Sequence, residues 1–573
     1  MVPRLIRPYM IGRILFFMKG LIKMTYKDLA NVIFPDVTKT VGDYEKIYPK
    51  RKLIEGACVT RFAPSPTGFM HIGNFMSALI DFIMARNSNG IFYLRNEDTD
   101  KKREVDSAVD LIMSTLEHYN MKPDEYEYNG QIIGNYGPYV QSERKEIYHT
   151  FIKYLIEIGR AYPCFCTSEV LEDMRKNQER FKMRTGYYGR YATCRNMSVD
   201  EAIDRIKNGE EYIIRFKSEG NFDKHFPFDD LCRGRIDLPE NDQDIVIMKS
   251  ENLLPTYHFA HLVDDYLMGT THVVRGEEWL PSTPVHIELF KTFGFNPPKY
   301  IHIPWIVKKD GDIVRKISKR KDPEALMKYY DELGYPVEAV IEAVMTIINS
   351  NYEEWHTNNP DKNFLDFPFS PKKMSNSGAF FDLDKLDNIS KNIISKYKAS
   401  YLYDELLKWT SIYDKEFYEL LSKYKDYTIS ILNIEREQKK PRKDYANYSS
   451  IKKNIWYMYP ELFDFNNLEY EFLKITDKEE ISIILSTYLN KYYNSSDDKE
   501  EWFNKIRLLS EELGYASNMK EYKINPDKYK GNVADISTVL RVCLTTKSNT
   551  PDLYEIMCLL GSDIIMERFN KFI

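Results

Sequence analysis

The spacing of hydrophobic residues between positions 58 and 120 alternates between two patterns. Continuous apolar runs at 58–62 and 91–94 predict two short buried strands. Apolar residues at helical spacing predict helices over 73–86 and 104–118. Strands that alternate with helices are typical of a parallel sheet with helices on both faces, so this region predicts one half of a doubly wound, Rossmann-like α/β sheet.

The same alternation returns after an interruption. Residues 145–237 mix helical and loop character, and the pattern resumes with a strand over 244–248, a helix over 257–267 and a strand over 272–275. Beyond residue 331 the pattern is helical, with no further strand alternation. We therefore expect six segments: an N-terminal extension (1–50), the first half of the sheet (51–144), an inserted domain (145–237), the second half of the sheet (238–330), a helical connecting domain (331–440) and a helical C-terminal domain (441–573).

Charge and cysteine content narrow the class of protein without identifying it. The chain has 573 residues and a net charge of −6, from 80 Lys and Arg against 86 Asp and Glu, so a nucleic-acid partner would need local basic patches. Seven scattered cysteines, an odd number, argue for a reducing compartment and against a disulfide framework. We expect a cytoplasmic protein without a membrane partner, and a monomer.

The first 25 residues carry five basic residues and no acidic one. Their longest apolar run, 14–18, is far too short to span a bilayer. Two interpretations remain open: an organellar transit peptide, or an upstream extension with translation beginning at Met24. We favour the second because the segment lacks the serine-rich character of transit peptides.

One segment, residues 61–74, predicts a nucleotide site. It reads Arg-Phe-Ala-Pro-Ser-Pro-Thr-Gly-Phe-Met-His-Ile-Gly-Asn, so Pro and Gly end the first strand and a helix begins near His71. The free N–H groups of a helix N-terminus favour phosphate, and Gly73 leaves room for a purine or ribose beside the backbone. The ring N–H of His71 can stabilise charge that develops on a transferring phosphate.

These fourteen residues resemble the first signature of class I aminoacyl-tRNA synthetases, the HIGH motif, in the form that it takes in glutamyl-tRNA synthetases. The segment 316–320, Lys-Ile-Ser-Lys-Arg, resembles the second signature, KMSKS. A mobile loop with two lysines can close over ATP and stabilise the charge that shifts onto departing pyrophosphate. The resemblance implies catalytic roles for His71, Asn74, Lys316, Ser318 and Lys319, with Lys319 the main ATP contact, and an ATP site of Pro64, Thr67, Gly68, His71, Gly73, Glu278 and Lys319.

The same resemblance implies a glutamate site. Residues 95–100 match the family sequence Arg-Ile-Glu-Asp-Thr-Asp, with Asn96 in place of Ile. The distal carboxylate of glutamate needs a cation that can hold it with two hydrogen bonds, and Arg61 and Arg275 follow or end strands of opposite sheet halves, so both can face one crevice. The implied glutamate contacts are Arg61, Ala63, Ser65, Glu97 for the α-ammonium, Tyr257, His261 and Arg275.

Three cysteines in the inserted domain, Cys164, Cys166 and Cys194, match a region that binds zinc in some family members. A structural zinc ion and a plain group of buried thiols both remain open, and the fourth ligand is not evident. Further along, Arg436, residues 439–443 and Lys452 with Lys453 form basic clusters suited to RNA phosphates.

The resemblance extends to the C-terminal region, notably at 381–387 and 540–561, and implies a helical anticodon-binding domain. The implied reaction is ATP- and Mg²⁺-dependent ligation of L-glutamate to tRNA(Glu) through a glutamyl-adenylate, with tRNA required for efficient activation. The alternatives are an enzyme that also charges tRNA(Gln) with glutamate, and a glutaminyl-tRNA synthetase, whose first motif begins differently and whose anticodon region is a β-barrel. A truncated transferase that modifies a tRNA base lacks the C-terminal third, and a non-catalytic relative would be expected to have lost His71 or Lys319.

Overall fold

A computed structural model describes residues 23–100, 105, 107–375 and 378–573. It divides into two compact units: the N-terminal unit, Met1–Met327 with Val344–Phe381, and the C-terminal unit, Lys328–Ala343 with Asp382–Ile573. Both interpretations of the basic leader concern residues that lie almost entirely outside the described part of the chain. The six segment boundaries predicted above stay predictions.

The strands all belong to the N-terminal unit. They are β1 Val59–Phe62, β2 Ile91–Leu94, β3 Tyr126–Tyr128, β4 Gln131–Ile133, β5 Ala161–Cys164, β6 Ile213–Phe216, β7 His225–Asp230, β8 Gly234–Pro239, β9 Val246–Met248, β10 His272–Gly276, β11 Lys299–Ile303, β12 Ile306–Asp310, β13 Ile313–Lys316 and β14 Ala379–Phe380. Its helices are α1 Tyr26–Ile33, α2 Val41–Ile47, α3 Ile72–Asn87, α4 Ala108–His118, α5 Lys145–Glu157, α6 Ser168–Arg180, α7 Val199–Lys207, α8 Tyr257–Leu267 and α9 Thr283–Phe293.

Helices account for the rest of the chain. Helices α10 Met327–Leu333 and α11 Val337–Ile348 lie where the chain passes between the units, and α12 Tyr352–Asn358 returns to the N-terminal unit. The C-terminal unit continues with α13 Leu383–Lys396, α14 Ala399–Tyr413, α15 Lys415–Lys423, α16 Lys425–Asn433, α17 Tyr448–Ile455, α18 Lys478–Thr487, α19 Lys499–Glu512, α20 Met519–Ile524, α21 Val533–Thr545 and α22 Leu553–Asn570.

A four-stranded parallel arrangement forms the centre of the N-terminal unit. Strand β1 pairs with β2, and β10 pairs with β11, both in parallel register. The N–H of Thr271 donates to the carbonyl of Val59 at 2.9 Å, which joins the two pairs in the order β2-β1-β10-β11. The chain order therefore reverses between β1 and β10, and ligands in such sheets bind at the carboxyl ends beside this point. The predicted doubly wound fold is confirmed.

Two strand predictions need correction. Strand β9 pairs antiparallel with β6, in a sheet with the order β5-β6-β9, so its predicted place in the parallel sheet is wrong. The expectation of no strand after residue 331 is also wrong, because β14 pairs with β12 at Ile306 and Val307. In both cases a short apolar run found its partner far away in sequence.

The described part of the N-terminal extension, residues 23–50, contains two short helices. Thr25 and Thr40 begin α1 and α2 with capping boxes, in which each side chain and the acidic residue three positions later satisfy free N–H groups reciprocally. The apolar side of α1 joins the core of α5, where Leu29, Phe34 and Phe151 are buried. In the described part of the chain, no helix combines the length and apolar character needed to cross a membrane.

The C-terminal unit is built from helices around one hydrophobic core. Buried side chains from α14, α18, α21 and α22 contribute to this core, among them Leu406, Ile484, Leu540 and Ile556. Helix α22 is interrupted at Gly561, whose φ of +76° lies in the region that favours glycine. The predicted helical character of the C-terminal region is confirmed.

Candidate active site

Two adjoining cavities open at the carboxyl ends of β1 and β10. The smaller cavity, of about 300 Å³, lies between the start of α3 and the loop after β13, and its lining includes His71, Lys316 and Lys319. The larger cavity, of about 750 Å³, lies over the ends of β1 and β10. Asn74, Ser77, Gly276 and Glu278 line both cavities. The two spaces therefore form one site with two compartments.

His71 is the N-cap of α3, and its orientation is fixed by the backbone. Its Nδ1 accepts the N–H of Gly73 at 2.9 Å, so the ring hydrogen is placed on Nε2. A Cβ at position 73 would lie 3.2 Å from that Nδ1, which explains the glycine. Burial, with Lys319 and Lys316 nearby, lowers the pKa of His71 to about 4. At neutral pH the ring is therefore an uncharged donor on the wall of the smaller cavity.

The hairpin of β12 and β13 carries the lysine loop against His71. Lys319 Nζ donates to the carbonyl of Phe69 at 3.1 Å, and Lys316 Nζ lies 4.3 Å from the centre of the Trp305 ring. Asp322 anchors the loop, because its carboxylate accepts hydrogen bonds from the N–H of Ser318 at 2.8 Å and from both Nη atoms of Arg315 at 2.7 Å. Both lysines remain exposed at the mouth of the cavity. They can therefore follow negative charge that enters it.

A compensated set of charges lies behind the larger cavity, and two of its members, Arg61 and Glu97, line the cavity. Buried Arg95 donates to Asp265 at 2.7 Å and to Glu97 at 2.8 Å, and Arg61 Nε lies 3.4 Å from the same Asp265. Although burial opposes it, Arg95 and Arg61 hold the pKa of Asp265 well below its usual range. Burial raises the pKa of Glu97. The charge of Arg61 is therefore partly neutralised inside the protein.

Arg275, at the end of β10, has different surroundings. Its Nε donates to His302 Nε2 at 2.9 Å, its Nη1 to His286 Nδ1 at 3.0 Å and to the Tyr257 hydroxyl at 3.5 Å, and its Nη2 to the Thr283 hydroxyl at 3.1 Å. In the described part of the chain, none of these partners is a carboxylate. A buried cation without a paired anion strongly favours an anionic ligand beside it.

Most of the predicted site residues come together here. The larger cavity is lined by Arg61, Ala63, Pro64, Ser65, Thr67, Asn74, Glu97, Tyr257, Arg275 and Glu278. The smaller one adds His71, Gly73, Lys316 and Lys319. Neither lining includes Ser318, Gly68 or His261. Gly68 has a φ of +107° in the turn before α3, a conformation that L side chains rarely adopt, which gives this glycine a backbone role.

His261 lies in the protein interior, outside the lining of both cavities. The ring is fully buried, with Nδ1 bonded to Asp265 and Nε2 bonded to the Tyr300 hydroxyl at 2.8 Å. Both nitrogens therefore have protein partners. The position corrects the expectation that His261 lines the ligand space, because the helix α8 turns this residue toward the sheet.

Several residues of the site were missed from sequence. His286, His302 and Thr283 surround Arg275, and Trp305 donates from Nε1 to Glu278 at 2.9 Å. Asp81 of α3 lines the larger cavity, is 1% exposed, and has an Oδ1 without a hydrogen-bond partner in the described structure. The polar His302 between apolar neighbours at the end of β11 was the one visible signal.

Three thiols and a phenol meet in the inserted region. The Sγ atoms of Cys164, Cys166 and Cys194 lie within 4.8 Å of one another. The hydroxyl of Tyr187 lies 3.4 Å from Sγ of both Cys164 and Cys166, a fourth donor that the sequence did not reveal. Soft sulfur ligands in so compact a group suit zinc.

The C-terminal unit has a cavity of its own, which we call the C-terminal cavity. It has a volume of about 690 Å³, and its walls include Trp502, Phe503, Arg507 and Arg541. The Arg507 guanidinium lies 4.7 Å from the centre of the Phe503 ring. Aromatic faces beside arginine are the surfaces on which unstacked nucleic-acid bases bind.

The predicted basic clusters divide into structural and exposed members. Arg436 donates to the backbone carbonyls of Leu432 and Ile394, both at 2.7 Å, and Lys452 pairs with Asp414 at 3.0 Å. These two cations therefore brace the helices. Lys439, Lys440 and Lys443 are exposed.

Comparison with known proteins gives concordant results. The family described as tRNA synthetases class I (E and Q), catalytic domain, matches residues 57–388, and the family described as anticodon binding domain matches residues 528–573. The chain is 49% identical over 552 residues to a glutamate–tRNA ligase of Acetivibrio thermocellus, and 48% identical over 552 residues to one of Clostridium perfringens strain SM101. Each alignment covers 96% of this chain and 100% of the relative.

A solved structure is similar along most of its length. It is a glutamate tRNA ligase from Elizabethkingia meningosepticum in complex with its amino acid, with 26% sequence identity and a TM-score of 0.70. The match covers 90% of this chain and 99% of that one.

Proposed function

We propose that this chain, which belongs to the class I tRNA synthetases for glutamate and glutamine, ligates L-glutamate to tRNA(Glu) in an ATP-dependent reaction. The observation that carries the proposal is the buried Arg275, which has no carboxylate partner among the described residues and lies at the wall of a cavity that adjoins the His71 and Lys319 compartment. An anionic amino-acid side chain fits the larger cavity, and nucleotide phosphates fit the smaller one.

In the first step, the α-carboxylate of glutamate attacks the α-phosphate of ATP, and pyrophosphate leaves. His71 Nε2–H and the helix N-terminus of α3 can donate to the phosphate oxygens as charge builds up there. Lys319 and Lys316 can follow the charge onto the departing pyrophosphate, because both are exposed at the cavity mouth. In the second step, the terminal ribose hydroxyl of tRNA attacks the acyl carbon of the adenylate, the glutamyl ester forms, and AMP leaves.

Magnesium would accompany ATP in this reaction. Glu278 is the acidic residue in the lining of the smaller cavity, and its carboxylate also borders the larger one, so an oxygen ligand is available beside the phosphates. The ion, when bound, would neutralise and position the phosphate charge.

The amino acid would be selected by the larger cavity. Glu97 is the acidic partner for the α-ammonium, held in place by Arg95 at 2.8 Å. Arg275 faces the distal carboxylate, and Tyr257, which packs against Trp279 with ring centres 4.2 Å apart, closes the wall. Glutamine would lose the charged interaction with Arg275 and is the disfavoured substrate.

We further propose a structural zinc ion in the inserted region, bound by Cys164, Cys166 and Cys194 with Tyr187 as the fourth donor. The C-terminal cavity would receive an unstacked base of the tRNA anticodon, because its aromatic and arginine walls lie in the unit that holds the anticodon-binding match. Charging of tRNA(Gln) with glutamate stays an alternative activity of the same site.

The remaining partners follow from the reaction. We propose that the protein acts as a monomer in the cytoplasm, where translation takes place, and its seven free cysteines agree with a reducing compartment.

Isotope exchange between labelled pyrophosphate and ATP tests the proposed function, because it requires reversible adenylate formation. We expect exchange with glutamate in the presence of tRNA(Glu), and at most weak exchange with glutamine. Exchange that requires glutamine instead of glutamate, or no exchange with either amino acid, would contradict the proposal.

A further inference from the structure

We infer that His302 and His286 are positioning residues that hold Arg275 through uncharged acceptors, so that its full positive charge is kept for the substrate's distal carboxylate. This inference rests on the proposed function and names how that site distinguishes an acid from an amide.

The hydrogen bonds of His302 fix its tautomer. Its Nδ1 lies 2.7 Å from Asp230 Oδ2, and an ionised carboxylate can only accept, so the ring hydrogen is on Nδ1. Nε2 is then left with a lone pair, which accepts the Nε–H of Arg275 at 2.9 Å. Asp230 belongs to β7 and His302 to β11, so the carboxylate reaches Arg275 only through a neutral imidazole.

His286 holds the other side of the guanidinium with the opposite tautomer. Its Nδ1 accepts from Arg275 Nη1 at 3.0 Å, which places the ring hydrogen on Nε2, where it faces His258 Nδ1 at 3.0 Å. Burial and the nearby Arg275 lower the pKa of His286 well below its usual range, so the ring stays neutral. His286 and Thr283 both come from α9, whose Ile287 packs against Val273 of β10 and Tyr300 of β11.

These contacts take up four of the five N–H groups of Arg275, leave one Nη2–H for a ligand, and do not cancel the charge. The guanidinium also lies over the face of Tyr300, 4.7 Å from the ring centre, an interaction that stabilises a cation and leaves its charge in place. Arg61, by contrast, faces the carboxylate of Asp265 at 3.4 Å. Of the two arginines in the cavity, Arg275 is therefore the one whose field favours a carboxylate over an amide.

The test compares acceptor-deleting and acceptor-retaining variants. His302→Leu and His286→Leu remove the acceptors, whereas His302→Gln and His286→Asn can place a carbonyl oxygen near the same nitrogen position. His225→Leu is the matched control, because His225 is an exposed histidine of β7, paired with Asp237, away from Arg275. Each variant is assayed by pyrophosphate exchange with glutamate, glutamine and ATP as the varied substrates.

We expect the Leu variants to raise the KM for glutamate about ten- to a hundredfold, as for the loss of a hydrogen bond to a charged group. The KM for ATP should stay unchanged, and the preference for glutamate over glutamine should fall. The Gln and Asn variants should recover most of the wild-type KM for glutamate and most of the wild-type preference. An unchanged preference in the Leu variants, or equal losses for glutamate and ATP, would overturn the inference. Absence of exchange in the wild-type enzyme would instead contradict the proposed function.

A spectroscopic measurement tests the same inference without activity. Nitrogen NMR of the full-length protein at pH 7 should find His302 neutral with its hydrogen on Nδ1, and His286 neutral with its hydrogen on Nε2. The reversed tautomer at either residue, or a charged ring, would overturn the inference even in an active enzyme.

Discussion

The balance of charge around single side chains decides what this site can bind. Arg61 and Arg275 both line the larger cavity, yet Arg61 faces the carboxylate of Asp265, whereas the partners of Arg275 among the described residues are uncharged. Two arginines that look equivalent in the sequence therefore differ in the charge that they offer to a ligand. On this basis we propose that Arg275, and not Arg61, contacts the distal carboxylate of glutamate.

Replacing Arg275 with Gln should raise the KM for glutamate strongly and narrow the preference for glutamate over glutamine, with ATP binding almost unchanged. Breaking a desolvated charge-assisted pair costs roughly 2–5 kcal/mol. Steady-state exchange kinetics with both amino acids measure the effect, and Arg180→Gln on α6 is a matched control away from the cavity. If the Arg275 variant discriminates against glutamine as strongly as the wild-type enzyme does, Arg275 is a structural residue.

Replacing Lys319 with Ala should lower the rate of adenylate formation by at least about a hundredfold and leave tRNA affinity nearly intact, because the lysine acts on charge that develops only in the transition state. Lys309→Ala, an exposed cation on β12 of the same hairpin, should have little effect. Pyrophosphate exchange in the presence of tRNA measures both. Near-normal exchange in the Lys319 variant would remove it from the catalytic set.

The sequence predicted cavity residues at the ends of parallel strands, and it missed those that approach from elsewhere. Arg61, Glu97 and Arg275 were predictable as cavity residues because the carboxyl ends of parallel strands meet at one edge of a sheet. His302 and His286 reach Arg275 from β11 and α9, so only the folded chain brings them together. His261 shows the converse, since its position on α8 turns it toward Asp265.

At the scale of elements, Cys164, Cys166 and Cys194 pack with Tyr187 in one cluster of the inserted region. If zinc is bound there, metal analysis of purified protein should find about one equivalent, and a chelator should loosen residues 145–237 before the parallel sheet. Hydrogen exchange followed by mass spectrometry measures the opening of residues 145–237 and of the parallel sheet separately. Tyr187→Phe should weaken metal retention while the fold is kept. Protein that folds and aminoacylates with no metal would leave the three cysteines as buried thiols.

The C-terminal cavity predicts a separate effect on tRNA. Phe503→Leu keeps an apolar side chain and removes the aromatic face, so the KM for tRNA should rise by roughly fivefold or more, as expected for the loss of base stacking. The kcat at saturating tRNA should change little. Leu508→Ala, at an exposed position of the same helix α19, is the control. An equal KM for the wild type and the Phe503 variant would contradict base binding in this cavity.

The positions of helices and strands were predictable where the apolar residues recur with a clear period. The pairing of the strands was not predictable in this way. Helices α3 and α8 match their predicted spans to within about a residue, since their apolar spacing is regular. Strand β9 has an apolar run like that of a parallel strand, but it pairs with β6. A run of three residues does not specify its neighbour, which depends on packing far along the chain.

At the scale of the whole molecule, histidines make the N-terminal unit sensitive to acid. All ten histidines lie in that unit, and the C-terminal unit has none. Burial lowers the pKa of seven of them from 6.5: His71, His149, His258, His261, His272, His286 and His302. For His71, His258, His261 and His272 the pKa falls to about 4.

The free energy of unfolding of the N-terminal unit should therefore fall as pH drops from 6.5 toward 4. In this window the unfolded chain binds protons that the folded unit excludes, so each such histidine removes up to about 1.4 kcal/mol per pH unit. Hydrogen exchange should show that the N-terminal unit opens more readily at pH 5 than at pH 7. The C-terminal unit serves as the internal reference. Equal acid sensitivity of both units would contradict the assignment of neutral buried histidines.

Aminoacylation measures most directly whether this enzyme joins glutamate to tRNA. Purified tRNA(Glu) and tRNA(Gln) would each be incubated with the enzyme, ATP, Mg²⁺ and labelled glutamate or glutamine. We expect glutamyl-tRNA(Glu) and no glutaminyl product on either tRNA, and glutamate on tRNA(Gln) would reveal the alternative activity. Charging with glutamine, or no charging of tRNA(Glu) with glutamate, would contradict the activity as a glutamate–tRNA ligase.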